Sequence, residues 1–170
     1  MIKKSLVLSL LILLISPVIV FSQDKQFDSA QWTGLRTELL KRTDAILLFQ
    51  VRIMRSKEID KKLWVELAVD ALNLAKKLDS SKTVNSAAIK TTTKLNSKLS
   101  KTFGQILMQL MMHDQKTLNE SAEITAKMEA IEKQLMVLKE AYNKACAESN
   151  RPDLVFDEMT PANKPVGSGF

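Results

Sequence analysis

Apolar side chains recur at alternating steps of three and four residues through most of this chain, the period of a helix with one buried face. From Trp32 the stripe passes through Leu35, Leu39, Arg42, Ile46, Phe49 and Ile53, with Arg42 its one non-apolar member. It predicts a helix over about 28–55. Leu63, Leu67, Ala71, Leu74 and Leu78 predict a second over about 60–78. Leu95, Leu99, Phe103, Ile106 and Leu110 predict a third over about 85–113. The most regular stripe, Ile124, Met128, Ile131, Leu135, Leu138, Tyr142 and Ala145, predicts a fourth over about 117–149.

Local signals support that last helix. Thr117-Leu118-Asn119-Glu120 has the form of a capping box, in which a hydroxyl and a carboxylate three apart satisfy two otherwise unpaired amides. Glu123–Lys127, Glu129–Lys133 and Glu140–Lys144 stand four apart in the favourable order. Asp79 to Thr83 and His113 to Lys116 read as loops. The stretch from Ser56 to Asp60 holds neither Gly nor Pro, so the first two helices are either separate or one bent rod. After Asn150 the prolines and a Gly-Ser-Gly ending predict an extended, mobile tail over 151–170.

Composition agrees with the pattern. No proline lies between Pro17 and Pro152, and only Gly34 and Gly104 interrupt the body. Single-striped helices are unstable alone and must pack on one another. The expected fold is all-α, an antiparallel four-helix bundle over 23–150. Cys146 is the only cysteine, so no internal disulfide supports the fold and a real apolar core must.

The first residues stand apart. Lys3 and Lys4 precede Leu6 to Phe21, which is apolar apart from Ser9, Ser16 and Pro17. Val20 and Ser22 suit a signal-peptidase site, so 1–22 reads as a signal peptide cut after Ser22; the alternative is an uncleaved anchor. Either way the two lysines hold the N-terminus inside and the remainder is exported, to the periplasm or the outer face of the inner membrane. The formal charge of +6 includes those two lysines, leaving a mildly basic exported part.

Several segments resemble the LemA family of bacterial envelope proteins. Trp32 stands twelve residues before Asp44, within Lys41-Arg42-Thr43-Asp44-Ala45-Ile46, as in the family's basic-basic-x-Asp-x-Ile segment. Leu99-Ser100, Phe103-Gly104 and Ile106-Leu107 are similar to its Leu-Ser-x-x-Leu-Gly-x-Leu-Leu. Glu132 precedes Tyr142-Asn143 by ten residues, and Ser149-Asn150 occupies the place of a second Tyr-Asn. The chain departs from the family where Leu47 replaces a proline and where Arg151-Pro152 and Val155-Phe156 replace Phe-Pro and Gly-Phe. The resemblance implies a membrane-anchored antiparallel helical bundle and no catalytic residues.

Candidate chemistry is sparse. Arg42 needs a partner if buried, and Glu38 and Glu132 are the candidates; an anion site is the other reading. His113 with Met108 and Met112 is the one set that suits Cu(I) or haem inside a bundle; core methionine and a helix-end cation are the plainer reading. Lys90, Lys94, Lys98 and Lys101 share a helical face, a candidate contact for anionic lipid or an acidic partner rather than for nucleic acid. Cys146 reads as a small buried side chain. No nucleophile triad, HExxH or phosphate loop is present, and no small-molecule substrate or cofactor is implied. The expected function is therefore non-catalytic: binding or scaffolding an envelope protein or a membrane surface. A ligand carrier (metal, haem or apolar molecule) and a periplasmic holdase are the alternatives.

Overall fold

A computed structural model describes residues 29–156; the proposed signal or anchor segment and residues 157–170 lie outside the described part. The protein is all-helical there. Five α-helices follow in order: α1 Ser29–Ile53, α2 Lys61–Ser80, α3 Ser86–His113, α4 Gln115–Glu120 and α5 Ala122–Glu148, with a 3-10 turn at Pro152–Leu154. The first break is real, so α1 and α2 are separate helices.

The stripes read from the sequence are the core. Trp32, Leu35, Leu39, Ile46, Phe49 and Ile53 of α1 are completely buried, as are Leu67, Ala71, Leu74 and Leu78 of α2. Each such leucine or phenylalanine contributes about 1.5–3 kcal/mol relative to exposure. α1 packs chiefly against α5 and α2, and α2 against α3. Phe49 and Phe103 meet edge to face at 5.2 Å, joining α1 to α3.

Polar side chains set the helix ends. Asp60 Oδ1 accepts from the Lys62 amide at 2.7 Å and starts α2. Two side chains of α1 close the far end of that helix: Trp32 Nε1 donates to the Ser81 carbonyl and Arg36 Nε to the Leu78 carbonyl, both at 2.8 Å. The Leu78 carbonyl also accepts from the Ser81 amide at 3.2 Å, so the α1 side chains complete the hydrogen bonding of the α2 end. Asn85 Oδ1 accepts from the Ala88 amide at 2.8 Å and starts α3.

Asp114 divides what was expected to be a simple loop and a long helix. Its amide bonds to the Leu110 carbonyl as α3 ends, and its Oδ1 accepts from the Thr117 amide at 3.0 Å as α4 begins. The expected capping box does not form, because Thr117 and Glu120 lie inside α4 and Asp114 already supplies the cap. Ser121, almost fully buried, then interrupts the helix, and its hydroxyl donates to the Thr117 carbonyl at 2.9 Å. Nor do the three Glu–Lys pairs of α5 close: the ion pairs among the described residues lie elsewhere.

The expected boundary at Asn150 is also corrected. Asn150 takes a left-handed φ of 52°, and the Arg151 and Asn150 amides return to the Cys146 and Ala147 carbonyls at 2.8 and 3.1 Å. That is a Schellman ending, with asparagine where glycine is most common. It turns the chain back onto the bundle, where Leu154 and Phe156 are buried. Tyr142 Oη donates to the Leu154 carbonyl at 2.9 Å. Asn143 clasps Phe156 twice, donating to its carbonyl at 3.0 Å and accepting from its amide at 2.8 Å. Residues 151–156 are thus part of the domain rather than of a tail.

Candidate functional site

Arg42 lies at the centre of the molecule and is 1% exposed. Its Nε donates to Glu132 Oε1 of α5 at 2.5 Å. Nη1 donates to Asn96 Oδ1 at 3.1 Å and Nη2 to Ser100 Oγ at 2.9 Å, both on α3. Ser100 in turn donates to the Asn96 carbonyl at 2.9 Å. Of the two carboxylates considered, Glu132 is the partner, while Glu38 is held by Lys41 at 2.8 Å. The guanidinium thus binds α1 to α3 and α5 at once. Sliding α1 by one turn, about 5.4 Å, breaks all three bonds.

A second buried polar link was not anticipated. Asp70 of α2 is 1% exposed, accepts from Thr102 Oγ1 at 3.1 Å and pairs with Lys98 Nζ at 2.8 Å. The Lys98 pKa is raised, first by that hydrogen bond and then by the charge of Asp70. The sequence held a signal: Asp70, Asn96 and Ser100 fall in phase with the apolar stripes of their helices.

The lysine face is consequently not a uniform cationic patch. Lys90, Lys94, Lys98 and Lys101 are all exposed, but Lys98 is neutralised by Asp70 and Lys90 is near enough to lower the Asp153 pKa, after the larger effect of Arg151. The Met–His set is corrected too. Met108, Met112 and His113 face solvent, Met112 being 69% exposed, because the inward positions belong to Phe103, Ile106 and Leu110. They enclose no interior site. Among the described residues no cluster of three His, Cys, Asp or Glu side chains could hold a metal.

The residues that carry the sequence resemblance divide by burial. Trp32 and Tyr142 meet at a tilt of 53° with ring centres 5.8 Å apart in the core. Glu132 serves Arg42, while Asn143 and Asn150 shape the C-terminal turn. Gly104 is half-buried within α3, and Asp44 is exposed on α1. Cys146 is fully buried, and burial pushes its thiol pKa up, against a smaller lowering by the Tyr142 hydrogen bond. Burial also raises the Tyr142 phenol, with Cys146 adding to the shift.

What the stripes did not reveal is a second apolar row on the outside. Leu47, Val51 and Met54 of α1 share one face, as do Val65, Ala68 and Leu72 of α2. The two rows flank the α1–α2 seam, since Gln50 reaches the Trp64 carbonyl at 2.7 Å and Met54 and Val65 line one cleft. Val51, Met54 and Leu72 are each about 60% exposed. Among the described residues no helix is long and apolar enough to cross a membrane.

No family model, curated protein or solved structure matches this chain.

Proposed function

We propose that this is an exported, non-catalytic protein, LemA-like in its organisation, whose four long helices form an antiparallel bundle that binds or scaffolds another envelope component. The observation that carries the reading is the outer α1–α2 face. Val51 and Met54 of α1 and Val65 and Leu72 of α2 are exposed on the seam side of their helices, with Leu47 partly buried against the core behind them. Contiguous exposed apolar side chains mark a contact surface more often than scattered ones do.

The interior supports a structural use of the charged groups. Arg42, Glu132 and Asp70 each meet partners on neighbouring helices. The signal or anchor reading of 1–22 and the resemblance around Trp32, Asp44, Gly104, Glu132 and Tyr142 supply the envelope setting. Photo-crosslinking residues placed singly at Val51 and Leu72 test the proposal in cells. A discrete adduct from both positions, absent when the residue is placed at exposed Glu129 on α5, is the expected result. Equal or no adducts from all three positions would remove the α1–α2 face as the contact.

A further inference from the structure

The α1–α2 connection closes one end of the apolar row and forms a cleft of about 600 Å³. That volume falls among small-molecule sites, which run from about 300 to 1,000 Å³. We propose that this cleft binds a single-chain acidic amphiphile, a linear acyl chain ending in a carboxylate or phosphate. The proposal adds a ligand site at one end of the partner face; it shares Met54 and Val65 with that face but rests on Arg55, Lys57, Lys61 and Trp64, which the face does not use, so each can fail alone.

Three observations converge. Met54, Ile59, Trp64 and Val65 supply an apolar lining, and Met54 and Val65 are more than half exposed. A methionine lining adapts to a flexible chain better than a branched one does. Arg55, Lys57 and Lys61 stand around the same lining, and none of them takes part in an ion pair. Of the adjacent acids, Asp60 is engaged as the α2 cap and exposed Glu58 is not part of the lining. The lining itself holds three cations and no acid, which favours an anionic head.

The third observation is the Trp64 indole. Its Nε1 is buried and has no acceptor, while its backbone carbonyl is already taken by Gln50. A buried donor left unpaired is costly, and a turn of the indole that brings Nε1 to the cleft lets a head-group oxygen relieve that cost. It also separates the occupants. A bilayer surface meets exposed cations, but a donor with no exposed surface is reached only by a molecule that enters the cleft and displaces the indole.

The connection is held open by fixed contacts rather than left loose. Ser56 donates to Asp114 Oδ2 at 2.6 Å, and the Asp60 amide donates to Gln109 Oε1 at 3.1 Å. Both bonds tie it to the α3 end of the molecule, which preorganises the site and reduces the ordering cost of binding.

The test is calorimetric titration of the purified protein with dodecanoate below its micellar concentration. Acetate, inorganic phosphate and an uncharged dodecyl maltoside serve as comparisons. One saturable site for dodecanoate is expected, with each comparison at least tenfold weaker. The triple variant Arg55→Gln, Lys57→Gln, Lys61→Gln, exposed at all three positions, should weaken binding at least tenfold without lowering the melting temperature. Trp64→Phe, which keeps the ring and removes the donor, should weaken it about fivefold, the effect of one lost hydrogen bond. Dodecanoate binding no tighter than acetate, or unaltered by the triple variant, overturns the proposal. So does binding to phosphatidylglycerol vesicles without binding to monomeric dodecanoate, which assigns the cations to a bilayer surface.

Discussion

Arg42 shows how one residue out of pattern specifies the packing around it. It interrupts an apolar stripe, yet its guanidinium reaches Glu132, Asn96 and Ser100 without leaving the core. Substituting Arg42→Met removes the cation and leaves a carboxylate, an amide and a hydroxyl without their partner. The expected loss is about 3–5 kcal/mol in urea denaturation, because an uncompensated buried charge remains. Adding Glu132→Leu should recover much of that loss, since a well-packed apolar pair removes the stranded charge as well. Equal stability of the single variant and the wild type would show that the cluster holds nothing in register. The sequence exposed Arg42 and offered two carboxylates but could not choose between them. That choice depends on how α5 lies against α1, information no single helix carries. Asn96 and Ser100 were hidden for a different reason: small polar side chains in an apolar stripe also occur at its solvent edge.

At the scale of elements, periodicity located the four long helices within a few residues and failed where polar side chains decide the ends. Asp114 is the clearest case. It reads as one polar residue in a loop, but it ends α3, caps α4 and accepts from Ser56 of the α1–α2 connection. Its carboxyl is held below the usual carboxylate range, first by the Ser56 hydrogen bond and then by the Thr117 amide. A depressed folded-state pKa stabilises the protein above the ordinary carboxylate range and loses that effect as pH falls through the lowered value. Asp114→Asn should therefore melt below the wild type at pH 7, and the two melting temperatures should converge as the pH is lowered through the depressed pKa of Asp114. A gap independent of pH would mean that the charge on Asp114 is immaterial. The segment after α5 departs from the sequence expectation for a related reason. Arg151-Pro152 looks like the start of a flexible tail, whereas the left-handed turn at Asn150 returns Leu154 and Phe156 to the core. Proline near a helix end is equally compatible with both outcomes, and only the tertiary hydrogen bonds of Tyr142, a donor, and Asn143, an acceptor, distinguish them.

For the whole molecule, the division between inside and outside separates stability from function. The buried stripes and the two polar links hold the helices together, while the apolar row along the α1–α2 seam is left over. That row was invisible as a surface because each helix was read for its strongest stripe alone. Leu47, Val51 and Met54 form a second, weaker stripe beside the first, and recognising it requires knowing which helix lies next to α1. Within the lysine face only Lys98 differs from the expectation, since a regular spacing of cations says nothing about an aspartate on the neighbouring helix.

The central claim is that the outer α1–α2 face binds a partner while contributing little to folding. Its most direct test is recovery of the crosslinked partner by a triple variant, Val51→Glu, Val65→Glu, Leu72→Glu, confirmed to be helical and to melt cooperatively near the wild-type temperature. The account predicts that this folded variant no longer recovers the partner. Undiminished recovery by the folded variant would contradict it.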